Sequence, residues 1–142
     1  MGNTPYKIRA LSLALIEKED KILAKKDYDS KKQEYFYRVP GGGIEFGETS
    51  EEALRREIRE EFDVEIEEPK FVKVLENIFT YEGDPGHEIV FLYRVSFADK
   101  EVYDRKEFPV LDGSEDEVLH WFSKEELLEG NFYPDGIKNV LS

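Results

Sequence analysis

The sequence predicts an α+β domain in which a mixed β-sheet lies between helices, an α/β/α sandwich. Three observations lead there. Strand-like segments fill both halves of the chain, and one amphipathic helical segment separates them. The resulting order, strand-strand-strand-helix-strand-strand-strand-helix, implies a mixed sheet with helices on both faces. No internal repeat, low-complexity tract or linker interrupts it, so residues 1–142 are expected to form a single domain.

Taken in order, Lys7 to Ile16 partly alternates and reads as a strand buried on one face or nearly on both. Glu17 to Lys21 makes a charged hairpin, and Ile22-Leu23-Ala24 returns as a second strand. Asp27 to Gln33 is a polar loop. It opens like a calcium-binding loop, but Lys32 stands where that loop needs glycine and Arg38 where it needs glutamate. Tyr35 to Val39 is a short aromatic strand leading into Pro40-Gly41-Gly42-Gly43, read as a turn because glycine enters positive φ without cost. Thr49 and Glu52 fit a capping box, and Ser50 to Phe62 holds mostly good helix formers. Val64 to Glu67 alternates, Phe71 to Tyr81 is a long strand, and Ile89 to Phe97 returns after a turn at Gly83 to Gly86. His87 and Glu88 read as an exposed pair at the hairpin end; Phe91 at i+4 excludes a zinc-protease helix. Ala98 to Ser114 is a long charged loop, followed by a strand from Val118 to Phe122. Ser123 and Glu126 offer a second capping box for a helix from Lys124 to Leu128, and Pro134 starts a last helix, Asp135 to Leu141.

The segment from Gly42 to Val64 carries the chemistry. At about 100° per residue, Leu54, Ile58 and Phe62 share one stripe, while Glu57, Glu60 and Glu61 share another with Ala53, whose small side chain leaves room for ions. Isolated acidic pairs on helices are ordinarily solvated. Three carboxylates in one turn repel, and a hard divalent cation reverses that sign because it takes oxygen ligands. The stretch resembles the Nudix box, G-x5-E-x7-R-E-U-x-E-E-x-G-U with U a bulky aliphatic residue. Gly42, Glu48, Arg56, Glu57, Ile58, Glu60, Glu61 and Val64 match it, and Asp63 replaces the late glycine. That glycine ends the helix in a left-handed conformation, which aspartate enters at a cost.

Resemblance to the Nudix (MutT-like) hydrolases implies the same α/β/α sandwich. It also implies Mg²⁺-dependent hydrolysis, with Mn²⁺ as substitute, of a pyrophosphate linkage in a nucleoside diphosphate derivative. The substrates in view are a nucleoside triphosphate, a dinucleoside polyphosphate or a nucleotide sugar, each releasing a nucleoside monophosphate. Carried over by position, the Gly42 carbonyl, Glu57, Glu60 and Glu61 would hold metal, and Glu48 paired with Arg56 would orient the carboxylates. The general base falls to Glu57 or to the late acidic loop, where Glu115 is preferred to Glu117 because Glu117 reads as already part of the strand. Arg38 is a candidate for substrate phosphate, and Tyr81 lies near the tyrosine of dinucleoside polyphosphate hydrolases. Phe79, Tyr81, Tyr35 and Tyr37 could stack on a base, although most strand aromatics are core. Two other classes stay open: a Nudix-fold module that senses nucleotide without cleaving it, and an acidic interaction protein.

Composition bounds these readings. The net charge of −13 disfavours non-specific binding to nucleic acid or anionic membrane, and requires local cations or metal wherever an anionic substrate binds. Cysteine is absent, so neither a disulfide framework nor a thiolate metal site can form. No segment reads as a signal peptide or membrane span, and Tyr6 defeats a myristoylation reading of Met1-Gly2. A cytoplasmic location is expected. Homodimers are common in the resembled family, so a homodimer is the assembly to test.

Overall fold

The computed structural model describes residues 6–111, 113 and 117–141. In chain order the strands are β1 (Ile8–Leu15), β2 (Glu17–Lys18), β3 (Lys21–Asp29), β4 (Glu34–Arg38) and β5 (Gly41–Gly43), then β6 (Ile66–Tyr81), β7 (Asp84–Phe97), β8 (Glu107–Pro109), β9 (Val118–Ser123) and β10 (Phe132–Tyr133). Two α-helices, α1 (Ser50–Phe62) and α2 (Lys124–Glu129), join 3₁₀ turns at Lys100–Asp104 and Ile137–Val140.

The strands divide into two mixed sheets. One has the order β5-β1-β7-β6, with β1 and β7 parallel and the outer pairs antiparallel. The other runs β10-β4-β3-β9-β8, with β2 also on β3 and only β10 and β4 parallel. Alternation along β7 sends Tyr93, Val95 and Phe97 to one face and Val90 and Leu92 to the other. The first set packs against Leu54, Ile58 and Phe62 of α1, the stripe expected from the sequence. The second set meets Leu11, Leu13, Ile22 and Tyr37 in a core between the sheets. The α+β sandwich expected from element order is the one observed.

Several local expectations are corrected. Gly41–Gly43 is not a turn but a strand paired with β1, in the register Leu11↔Gly43, Ser12↔Gly42, Leu13↔Gly41. A Cβ at Gly41 would stand 2.1 Å from the Ser12 carbonyl oxygen, and its φ of +140° lies in glycine territory. The hairpin turn falls at Glu82-Gly83, both at positive φ, and not at Gly83 to Gly86. The loop from Ala98 to Ser114 holds the 3₁₀ turn and β8, anchored by buried Val102 and Phe108. The last helix reduces to one 3₁₀ turn, preceded by Gly136 at φ +90°. Ser123 does cap α2, accepting from the Glu126 amide at 3.0 Å, but the Glu126 carboxylate accepts from the Tyr37 hydroxyl at 2.8 Å instead of completing a box. Among the described residues no helix is long and apolar enough to cross a membrane.

Candidate active site

Helix α1 is fixed at both ends by its own sequence. Thr49 accepts from the Glu52 amide at 3.1 Å while Glu52 accepts from the Thr49 amide at 2.8 Å, so the first capping box is complete. At the other end Asp63 adopts the left-handed conformation, φ 54° and ψ 44°, and its amide donates to the Arg59 carbonyl. Ser12 and Tyr93 tie the N-terminal turn to the first sheet through Ser50, at 2.6 Å each. Ala53 is fully buried, one turn before Glu57 on α1.

Arg56 organises the acidic face. It donates from Nε and Nη2 to the two oxygens of Glu48 at 2.7 and 2.9 Å, and from Nη2 to the Gly43 carbonyl at 3.0 Å. The bidentate bond from Arg56, with a further bond from the Glu45 amide, lowers the Glu48 carboxyl to about 2. The same guanidinium reaches Glu60 at 3.1 Å and Glu57 at 3.5 Å. Glu60 is half exposed and turned to Arg56, whereas the Glu57 side chain is only 18% exposed.

Glu57 packs directly on Gly42: a Cβ at that glycine would lie 2.3 Å from its carboxylate. On one side of Gly42, Glu57 shares a depression with Arg9, Gly43 and Arg56. On the other, Gly42 and Glu61 line a cavity of about 230 Å³ together with Arg9, Lys25, Arg38 and Glu117. One Glu61 carboxylate oxygen is buried there. Lys25, Asp27 and Arg38 are shared with a second cavity of about 240 Å³, walled by Phe36, Phe79, Tyr81 and Tyr133. Charged and aromatic recesses thus share a wall, where Lys25 of β3 stands opposite Arg38 of β4.

The structure therefore joins Gly42, Glu57, Glu61, Arg38 and Tyr81 in one region, with Glu48 and Arg56 behind it. Glu115 lies outside the described residues. Glu117 is not in β9 but immediately before it, so the reason for preferring Glu115 does not hold; its carboxylate stands 3.9 Å from Lys25. Phe79 and Tyr81 face the cavity, while Tyr37 is buried and Tyr35 packs on Tyr28 at the surface. Glu88 is not exposed: only 3% of it reaches solvent, on the inner face of β7. Arg9, Lys25 and Glu88 were missed because strand charges read from sequence as solvated ends. Alternation along β7 could have found Glu88, which is in phase with Val90 and Leu92.

Among the described residues no three carboxylate or imidazole side chains converge tightly enough to hold an ion unaided. The donor set that does adjoin is Glu57, Glu61 and the main chain of Gly42, all oxygen, which suits a hard divalent cation and no soft one. Gly42 leaves space there that any Cβ would fill.

The acidic helix thus faces a glycine strand beside a cavity lined by Arg9, Lys25 and Arg38 and by Asp27, Glu61 and Glu117. The NUDIX domain model matches residues 6–140, and the chain belongs to that family. It is similar to the ORF135 protein of E. coli at 26% identity, covering 95% of this chain and 86% of that one, with a TM-score of 0.59. The MutT protein of Bacillus halodurans shares the fold at 21% identity and a TM-score of 0.62, over 94% of this chain and 79% of that one. So does the MutT NUDIX hydrolase of Burkholderia pseudomallei, at 23% identity, 96% coverage of both chains and a TM-score of 0.59.

Proposed function

We propose that this protein is a Nudix pyrophosphohydrolase that cleaves a pyrophosphate linkage in a nucleoside diphosphate derivative and releases a nucleoside monophosphate. Family membership supports a hydrolase of small nucleotide-linked substrates, and related folds include a UDP-X diphosphatase. The observation that carries the reading is Gly42 wedged between Glu57 and the Glu61 cavity, with Lys25 and Arg38 facing the same space.

Glu57, Glu61 and the Gly42 carbonyl are the donors assigned to a divalent ion, Mg²⁺ by ligand chemistry with Mn²⁺ as substitute. Glu60 is assigned to join this set only by leaving Arg56. Such an ion supplies Lewis-acid polarisation of phosphoryl oxygens. The remaining work belongs to the chain. Glu48 and Arg56 hold the helix carboxylates against β5. Arg38 and Lys25 neutralise substrate phosphate, which a protein of net charge −13 would otherwise repel. Phe79, Tyr81 and Phe36 offer faces for a base. In hydrolysis a water oxygen bonds to phosphorus and its proton passes to a carboxylate. The bridging oxygen leaves with the departing phosphate. Glu117 and Glu115 of the late acidic loop are the candidates for that carboxylate.

A nucleotide panel assayed with Mg²⁺ tests the reading. Glu57→Gln and Glu61→Gln should each lower kcat by about 10²-fold or more, and should remove the rise in Tm that Mg²⁺ gives the wild type by mass action. Turnover surviving both changes would overturn the metal-helix assignment. Tight nucleotide binding without any turnover would point instead to a sensing module.

A further inference from the structure

Glu88 has no part in the assignment above, yet its carboxylate is only 3% exposed and pairs with Arg38, which lines both cavities. Register places it in one row across three strands, Arg9 on β1, Glu88 on β7 and Asn77 on β6. Paired residues in register present their side chains on one face, here the face between the sheets. From the opposite sheet Arg38, the last residue of β4, completes the group. Glu88 Oε1 accepts from Arg38 Nη2 at 3.4 Å and from Asn77 Nδ2 at 3.5 Å, and Oε2 stands 3.9 Å from Arg9 Nη1. Asn77 is itself held, because its Oδ1 accepts from the Asp135 amide at 3.2 Å.

A buried carboxylate needs charge partners, and here both partners are guanidiniums that reach outward. The Arg38 side chain is 38% exposed and that of Arg9 is 62% exposed, against 3% for Glu88. Both arginines line the Gly42–Glu61 cavity, and Arg9 also borders the Glu57 depression. A guanidinium has five donors in a planar fork, so pairing one edge with Glu88 leaves others to bind phosphate oxygens. Fixing the fork in advance reduces the ordering cost when an anion arrives.

We infer that Glu88 is a positioning residue that holds Arg9 and Arg38 as a two-guanidinium clamp for a diphosphate chain, beside the base-sized aromatic cavity. The clamp rests on the nucleotide reading above for its place in a reaction, but not for binding. Two forks from different sheets suit two consecutive phosphates, so the ligand class is a nucleoside diphosphate unit and not a monophosphate. Closing both sheets on one carboxylate also makes the clamp depend on the fold of each.

The experiment measures binding of ADP and AMP by calorimetry without added metal, and KM and kcat with Mg²⁺ on the best substrate of the panel. The clamp predicts that Arg9→Met and Arg38→Met each weaken ADP binding by about tenfold and AMP binding much less. In turnover they should raise KM with kcat nearly unchanged. Glu88→Gln should weaken ADP binding in the same direction, and adding Glu88→Gln to a protein that already carries both Arg9→Met and Arg38→Met should weaken it no further. ADP that binds no tighter than AMP to the wild type, or retains its affinity in both arginine variants, overturns the clamp. A Glu88→Gln protein with lower Tm but unchanged ADP affinity reduces Glu88 to a structural group and overturns its positioning role. Should the wild type hydrolyse nothing while the ADP pattern holds, the hydrolase reading fails and the clamp stands.

Discussion

At the scale of single residues, Asp63 and Glu48 show how one position in the box acts on the helix and another on its charge. Asp63 sits in the left-handed region that its family position gives to glycine. Asp63→Gly removes the Cβ penalty of that conformation, and should raise stability by about 1 kcal/mol in urea titration. A loss of stability would show that the aspartate side chain contributes more than its backbone strain costs. Glu48 is held at about 2 by Arg56 and the Glu45 amide, well under its ordinary 4.5. A depressed carboxyl contributes stability above its unfolded value and loses it as pH falls through the folded one. The stability gap between wild type and Glu48→Gln should therefore be widest near neutral pH and close between 4.5 and about 2. A gap that stays constant down that range would deny the Glu48–Arg56 pair its role. Both positions were visible in the sequence, Glu48 as part of a spacing and Asp63 as its one departure.

At the scale of elements, β5 matters as much as α1. Three glycines in a row read as a turn because sequence shows only their backbone freedom. The structure uses them for closeness: Gly41 against Ser12 of β1, and Gly42 against Glu57 of α1. Gly41→Ala should destabilise by about 2–4 kcal/mol, because its φ is forbidden to alanine and its Cβ meets main chain. Gly42→Ala has a different expected signature. Its Cβ meets the far end of a glutamate, which can move, so the fold should survive. Mg²⁺-dependent stabilisation and turnover should both be lost. Differential scanning with and without Mg²⁺ separates these outcomes, and a Gly42→Ala protein that keeps its Mg²⁺ shift would remove the carbonyl wedge from the site. The two caps differed at this scale. Thr49 and Glu52 form a full box, whereas the Glu126 carboxylate accepts from the Tyr37 hydroxyl brought in by β4.

At the scale of the whole molecule, two cores meet on β1 and β7. Ile58 belongs to the helix-side core and Leu92 to the core between the sheets, both fully buried. Ile58→Ala and Leu92→Ala should each cost about 2–5 kcal/mol and each lower a single cooperative transition, since the shared strands leave neither core independent. Two separate transitions in either variant would show that the cores unfold apart. The site belongs to this scale too. Glu61 comes from α1, Arg9 from β1, Arg38 from β4 and Glu117 from the approach to β9, so no local segment contains it.

The sequence by itself determined the fold class, the ends of α1, the apolar stripe of that helix and the spacing of Glu48, Arg56, Glu57 and Glu61. Each of these depends on periods and caps within a few residues, which is where local physics acts. Only the tertiary structure decided that Glu88 is buried between two arginines, and that aromatic and cationic recesses share a wall. Those facts depend on which strands pair and how two sheets close on each other. A charged residue on a strand has the same local signature whether its partner is water or a guanidinium brought from a distant part of the chain.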